Sequence, residues 1–358
     1  MSRRSVFLAL IVGALAYLFL WPVPVDPEPV QPPAPPPLDG PLAPNDRLAA
    51  VELLPAGHGP EAVFVDSAGR VYTGLSDGRI RRAEPGGAFE DLVDTGGRPL
   101  EMIFDAEGRL VVADAERGLL RIDLDTDPPA LETLAGPRLL NFADALDLAP
   151  DGSIYVTDAS AVFGMEEYAL DALDHGPNGR LFRIVPGSGR AEIVVDSLRF
   201  ANGVSLTHDR RSVLVVETWR YRVLEYAIAG PDSGQTRVFA GNLPGFPDNI
   251  TRDDRGGYWV GLTNGPKARR NYDFMLPRPW IRRIVARLPA WVSKAVQRPQ
   301  GFAVRLDAEG RITESVQDLS GTYFAHTSHA LERDGVLYLG SLHGRAIGRL
   351  DYRNAHQP

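Results

Sequence analysis

The sequence predicts an all-β fold, a six-bladed β-propeller, carried behind an N-terminal hydrophobic segment. Three observations lead there. From Arg47 onward the chain repeats one unit: strand, Asp/Gly turn, strand, polar turn, strand, usually with a fourth apolar strand. The unit recurs about every 40–45 residues, the spacing of propeller blades, whose four-stranded sheets cannot bury both faces alone. Finally, 36 glycines and 30 prolines in 358 residues suit a chain of many tight turns rather than one of helices.

Ser2, Arg3 and Arg4 precede a continuous apolar run from Val6 to Trp21. At 1.5 Å per residue the run covers roughly 24 Å, slightly short of the ~30 Å hydrocarbon core of a bilayer. Snorkelling arginines and Trp21 at the far interface make up the difference. A cleaved signal peptide is the competing reading, but WPVPVDPEPV offers no small-x-small cleavage site. Residues 1–21 are therefore expected to be a single-pass membrane anchor. The paired arginines put the N-terminus in the cytoplasm and the propeller in the periplasm or outside the cell. Residues 22–46, dominated by proline, are expected to be an extended tether outside any fold. Such a tether reaches roughly 70 Å and leaves the orientation of the domain to the membrane open.

Residues 47–358 form the propeller in this reading. EAVFVDSAGRVYTGLSDGRIRRAE and LEMIFDAEGRLVVADAERGLLRIDL open the series. DALDLAPDGSIYVTDAS with NGRLFRIVP, then two units across Arg199–Leu262, continue it. SHALERDGVLYLGSLHGRAIGRLDY closes it with only three clear strands. Leu48 to Leu54 is the natural fourth, and that pairing would close the ring and remove two exposed sheet edges. A stack of separate sandwich domains is the alternative, but no linker divides 47–352.

Bulk properties exclude several functions. A net charge of −8 leaves no excess of cations to neutralise phosphates, so nucleic acid is not an expected partner. The absence of cysteine removes thiol chemistry, thiolate metal sites and disulfides. No GxSxG elbow, Walker loop or dinucleotide fingerprint is present.

The blade register points to a site. Stepping eight positions back from the first-turn glycine of each blade leads from Gly69 to Glu61, from Gly108 to Leu100, from Gly152 to Asp144 and from Gly256 to Asp248. Arg210 holds the turn position of the fourth blade, and the same step reaches Asn202. In the last blade the turn around Asp334 points to Thr327–His329. These positions start the innermost strands, where a propeller tunnel is lined. Four carry oxygen ligands, and unpaired carboxylates in a low-dielectric tunnel are costly. A hard divalent cation resolves that cost, and an all-oxygen set suits Ca²⁺ better than Zn²⁺. The alternative is that these residues bond to loop backbone or to tunnel water.

FANGVSL, VVETWRYRVLEY, LPGFPDNI and GGYWVGL, with GPEAVFVDSAGRVYTG and ERDGVLYLGSLHGRAIGRL, resemble the strictosidine synthase-like branch of the calcium-dependent six-bladed propellers. Relatives of that branch include the senescence marker protein 30 gluconolactonases, diisopropylfluorophosphatase and the paraoxonases. The resemblance spans roughly 47–352. It implies calcium ligands at Glu61, Asp144, Asn202 and Asp248, with Asn249 an inner-sphere neighbour. Asp144 stands where the family usually has Asn, which keeps an oxygen ligand and adds a charge. The synthases proper use a glutamate of the last blade as base for an amine–aldehyde condensation. This chain has Ser328 and His329 there, so that condensation is not expected.

Two blades carry insertions between their second and third strands, 159–179 and 263–300, expected as lids over the end that holds the ligands. In the second, Trp280, Ile281, Ile284, Val285 and Leu288 share one helical face, with Arg282, Arg283 and Arg287 elsewhere. Pro289 breaks that helix, and Trp291, Val292, Ala295 and Val296 begin a second apolar face. Packing as a cap is favoured over a basic helix lying on a membrane. His329 is the leading acid/base candidate, with Asp144 and Asp248 as catalytic carboxylates. Asn249, Glu101 and His175 are candidate substrate contacts. The expected activity is calcium-dependent hydrolysis of a small-molecule ester or lactone, the metal polarising the carbonyl. A binding or scaffold propeller with a structural calcium is the alternative.

Overall fold

The computed structural model describes residues 2–289 and 299–352. Within them lie six four-stranded antiparallel sheets, each running outward in chain order from an innermost strand. The innermost strands are Phe64–Val65, Pro99–Phe104, Ala143–Leu148, Ala201–Leu206, Phe246–Arg252 and Thr327–Arg333. The chain is a six-bladed β-propeller, as its repeat predicts. The sixth blade takes its outer strand from the start of the domain: Glu52 pairs with Arg349 and Pro55 with Ala346. The closing strand is thus Glu52–Pro55, set slightly later than the pattern indicates. Leu48 lies instead in the short turn Arg47–Ala50, fully buried against Trp259 and Phe324.

The turn chemistry behind the repeat is local. Asp66 accepts hydrogen bonds from the backbone N–H groups of Ala68 and Arg70, both at 2.9 Å, and from the Arg70 side chain at 2.6 Å. Asp105 and Asp307 close their turns in the same way. Arg210, where other blades have glycine, takes the same left-handed backbone at φ 56°. Successive apolar side chains of the inner strands point to opposite faces, as where Val213 and Val215 join one interface and Leu214 and Val216 the next, and adjacent sheets bury them face to face. Each of the six blade interfaces holds its own cluster, such as Tyr72, Ile80, Met102 and Leu110 between blades one and two.

Both insertions fold over one end of the ring. The first forms helix α2 (Tyr168–Asp174), and the second forms α3 (Pro266–Met275) and α4 (Pro279–Val285), numbering from the N-terminal helix α1 (Arg3–Leu20). Trp291, Val292, Ala295 and Val296 lie outside the described residues. Arg282 departs from expectation. It is fully buried, and its guanidinium donates to the carbonyls of Leu173 (3.1 Å), Leu276 (3.1 Å) and Glu28. One side chain thus joins both insertions to the N-terminal segment, and those carbonyls supply the acceptors that make its burial tolerable.

The proline-rich segment 22–46 is extended, but it is not free of the fold. Val25 and Leu42 are buried. Val30 N–H bonds to the Leu276 carbonyl (3.1 Å), Asn242 donates to Ala34 (2.9 Å) and Ser315 to Pro41 (2.7 Å). A polyproline-like backbone keeps its carbonyls unpaired, and the propeller supplies donors to them. The segment is therefore a strap across the blades, and its length does not become slack.

Helix α1 is long and apolar enough to cross a membrane, by length and composition, and none of it is buried against the propeller. Its C-terminal end touches the second lid: the Tyr17 hydroxyl donates to the Arg287 carbonyl at 2.9 Å, and Arg287 Nε donates to the Trp21 carbonyl at 2.6 Å.

Leu48→Ala tests the clasp that closes the ring. Truncating this buried side chain is expected to cost about 2–5 kcal/mol in urea unfolding, with cooperativity retained. A change under about 0.5 kcal/mol would mean that the segment before the first blade does not hold the ring shut.

Candidate metal centre

Strands alternate their side chains between faces, so a residue aimed down the tunnel needs a local irregularity. Every innermost strand from blade two to blade six has one at the equivalent place. The pairing register shifts between Pro99 and Glu101, Ala143 and Leu146, Ala201 and Val204, Pro247 and Ile250, and Thr327 and His329. Bulges of this kind re-aim side chains. They present Asp144, Asn202 and Asp248 to a common centre, with Glu61 reaching it from the segment before blade one. Two glycines permit the close approach. A Cβ on Gly203 would lie 2.6 Å from the Asn249 Cα, and one on Gly340 would overlap the Glu61 carbonyl oxygen at 1.8 Å. Ser328 Oγ pins that same carbonyl at 2.7 Å.

Carboxylate oxygens of Glu61, Asp144 and Asp248 lie within 4.8 Å of one another, all buried. Burial, reinforced by the Glu61 charge, pushes Asp144 and Asp248 well above the usual carboxylate range. Burial also raises Glu61, against the opposing pull of the Arg98 guanidinium. The neighbouring Asn202 amide opposes this rise at Asp248. One oxygen each of Asp144, Asn202, Asp248 and Asn249 is buried with no hydrogen-bond partner. Four buried acceptors without a donor, in an oxygen-only set, fit a hard cation. The buried triad can hold a metal.

Above this floor is a cavity of about 450 Å³. Its walls are apolar: Phe142, Phe200, Trp219 and Phe246 from the blades, Met165 and Tyr168 from the first lid, Met275, Val285 and Leu288 from the second. The lids are fixed to the blades by polar contacts. Buried Asp171 of α2 accepts from Trp219 Nε1 at 2.8 Å and from Asn178 at 3.1 Å.

Some expected residues fall elsewhere. His329 and Glu101 form a pair at 3.4 Å, and both line a separate, more polar cavity of about 360 Å³ beyond the ligand floor. The bulge at Thr327–His329 turns Ser328, rather than His329, toward the Glu61 carbonyl. His175 does not line the main cavity. It caps α2 with left-handed backbone (φ 58°) and contacts the Tyr272 hydroxyl at 2.9 Å. That hydroxyl gives its proton to the Ala172 carbonyl at 2.5 Å, so His175 Nδ1 is the donor in their contact. Burial holds the His175 pKa down to about 3.

Three residues at the site escape the register. Arg98 is buried and donates to Glu61 Oε2 at 3.0 Å and to the Gly59 carbonyl at 2.9 Å. It stands two positions before Leu100, the residue that the register placed in the second blade, and no ligand pattern marks it. His326 and His343 line the main cavity with their rings edge to face at 5.0 Å. His326 directly precedes the innermost strand Thr327–Arg333 and His343 follows the second strand, Val336–Ser341, so neither holds the position to which the register counts. His326 also has left-handed backbone, φ 56°, and burial lowers its pKa.

Residues 144–231 match the family described as strictosidine synthase, and residues 40–83 its strictosidine synthase-like N-terminal region. Adipocyte plasma membrane-associated protein from Homo sapiens is 32% identical, over 96% of this chain and 87% of that protein. The Salmo salar protein of the same name is 31% identical over 96% and 88%. Protein STRICTOSIDINE SYNTHASE-LIKE 10 of Arabidopsis thaliana is 34% identical over 82% and 85%. Among solved structures, a gluconolactonase from Xanthomonas campestris superposes with TM-score 0.58 at 17% identity, over 92% of this chain and 98% of that one. A calcium-binding regucalcin from Agrobacterium tumefaciens does so with TM-score 0.56 at 12% identity, over 84% and 91%. At such identities these two structures speak to the fold alone.

His175 yields a test with a definite sign. The folded chain keeps this imidazole neutral down to about pH 3, while the unfolded chain protonates it near its ordinary value of ~6.5. Its contribution is therefore intact above pH ~6.5 and lost as the pH falls from there toward about 3. Between pH 7 and pH 5 the wild type is expected to lose about 2 kcal/mol more than His175→Asn in urea unfolding. Parallel pH slopes for the two would contradict the burial of an uncharged ring.

Proposed function

The chain belongs to the strictosidine synthase-like family, and from that premise we propose that it is a calcium-dependent hydrolase of an ester or lactone. One observation carries the reading: three buried carboxylates, with unpartnered oxygens on Asp144, Asn202 and Asp248, form the floor of a mainly apolar cavity. Glu61, Asp144, Asn202 and Asp248 would hold the ion, with Asn249 beside them. Bound Ca²⁺ supplies Lewis acidity toward a carbonyl oxygen. Arg98 fixes the Glu61 carboxylate and offsets one of three negative charges, leaving a surplus of two for a divalent cation. The aromatic walls take the apolar part of the substrate and exclude water from the floor. His326, which lines the cavity and whose pKa burial lowers, would accept a proton from attacking water. His329 serves better as a partner of Glu101 than as the base. Ser328 and His329, where the synthases have glutamate, speak against amine–aldehyde condensation.

The name of the animal relatives and the character of α1 support a further part of the reading. The chain is a single-pass membrane protein with its N-terminus cytoplasmic and its propeller on the other side. A non-catalytic binding propeller with structural calcium is the second reading, favoured by the mainly apolar lining of the cavity.

With the detergent-solubilised chain, saturating Ca²⁺ at ~100 times its Kd should stabilise the fold by about 2.7 kcal/mol, and a chelator should reverse this. Asp248→Asn should abolish both the calcium shift and turnover of aryl esters and lactones, with the blades still folded. Asp144→Asn should keep turnover while weakening calcium by roughly 10-fold, through loss of one ligand charge. Calcium-dependent melting without hydrolysis on a broad panel would leave the binding propeller as the surviving reading. No calcium shift at all would remove both.

A further inference from the structure

The length of the strap decides which way the propeller faces. Trp21 ends α1, and four residues later Val25 is already buried. Four extended residues span at most about 14 Å, about twice the thickness of the ~5–8 Å headgroup layer that flanks the hydrocarbon core. Nothing in between is slack. Asp26 N–H bonds to the Asp174 carboxylate at 2.7 Å, and its own carboxylate pairs with Arg283 at 2.6 Å. Arg282 holds the Glu28 carbonyl, and Arg287 holds that of Trp21. The membrane exit is thus fastened to the second lid, at the end of the ring that carries the main cavity.

The outer face of that lid has a separate character. Residues 266–289 contain seven basic side chains and one acidic, in a chain of net charge −8. Arg269 and Arg282 are consumed inside the fold, while Lys267 and Arg270 are exposed and Arg278, Arg283 and Arg287 half-exposed. Among these cations two large side chains stand in solvent, Phe274 and Trp280, each 58% exposed, with Arg278 stacked on the Phe274 ring at 4.2 Å. Exposed aromatics among cations suit a phospholipid headgroup layer, where rings sit at the interface and cations meet phosphate.

We propose that the outer face of the second lid, centred on Phe274 and Trp280, rests on the phospholipid surface from which α1 emerges, so that the roof of the main cavity lies against the bilayer. This rests on the membrane-anchor reading of α1 and is independent of the hydrolase reading. Neither a swinging propeller nor one turned away from the membrane is compatible with the strap.

The chain has no cysteine, so single substitutions can be labelled without background. Phe274→Cys and Trp280→Cys, and Ala106→Cys in an exposed turn at the opposite end, would each carry a nitroxide in the full chain reconstituted in phospholipid nanodiscs. Relaxation by oxygen, which concentrates in lipid, is compared with relaxation by a water-soluble nickel chelate. The expected result is an oxygen-to-nickel ratio at 274 and 280 several-fold above that at 106. Insertion with all three labels equally open to nickel would overturn the orientation alone. Failure of the chain to enter the discs would overturn the anchor reading and the proposal with it. Ester or lactone turnover in the same discs bears on neither outcome.

Discussion

Three carboxylates held within 4.8 Å of one another, all out of water, are the constraint around which the centre of this ring is built. At that spacing each like-charged pair repels by about 3 kcal/mol at an effective dielectric constant of ~20, before any cost of desolvation. A fold does not retain such a cluster without compensation. Part is built in: Arg98 reaches Glu61, and the Asn202 amide lowers the Asp248 pKa against the effect of burial. The remainder shows as raised carboxyl pKa values and oxygens with no donor. Bulges in blades three, four and five and glycines at 203 and 340 bring these groups together, so backbone irregularity and electrostatic tension meet at one place.

The architecture was legible because propeller blades are local. Each strand–turn–strand unit writes its own Asp/Gly turn, and Asp66, Asp105 and Asp307 show that turn working through three neighbouring hydrogen bonds. Equivalent positions in equivalent units then place Glu61, Asp144, Asn202 and Asp248 at one centre by counting alone. Counting fails for residues outside the innermost strands. In blade six it reaches the bulge Thr327–His329, while the cavity histidines His326 and His343 lie just before that strand and just after the next. Arg98 was hidden for a different reason: a counter-ion needs no fixed register, only reach.

The strap was misread because composition reports intrinsic stiffness and not docking. A run such as VDPEPVQPPAPPPLDGPLAP cannot form helix or central strand, and in isolation it is an extended spacer. What composition does not contain is the set of donors awaiting its carbonyls, among them Asn242, Arg269, Arg282 and Ser315. Those donors lie more than 200 residues away in sequence. Arg282 is the sharpest case. On a helical wheel it belongs to the polar face, yet its guanidinium is fully buried, because four carbonyl ends converge on it.

The same placement links the two ends of the molecule's chemistry. The cavity needs apolar walls to keep water from the carboxylate floor, and the lids supply Met165, Tyr168, Met275, Val285 and Leu288 for them. A lid made of two short helices has little core of its own and depends on being tied down. The ties run through Asp171, Arg282 and the strap, and the strap is continuous with α1. Whatever fixes α1 therefore restrains the roof of the cavity, since the chain between Trp21 and Val25 is too short to absorb movement. The anchorage of α1 and the covering of the site are in this way one mechanical arrangement, set by a four-residue connection.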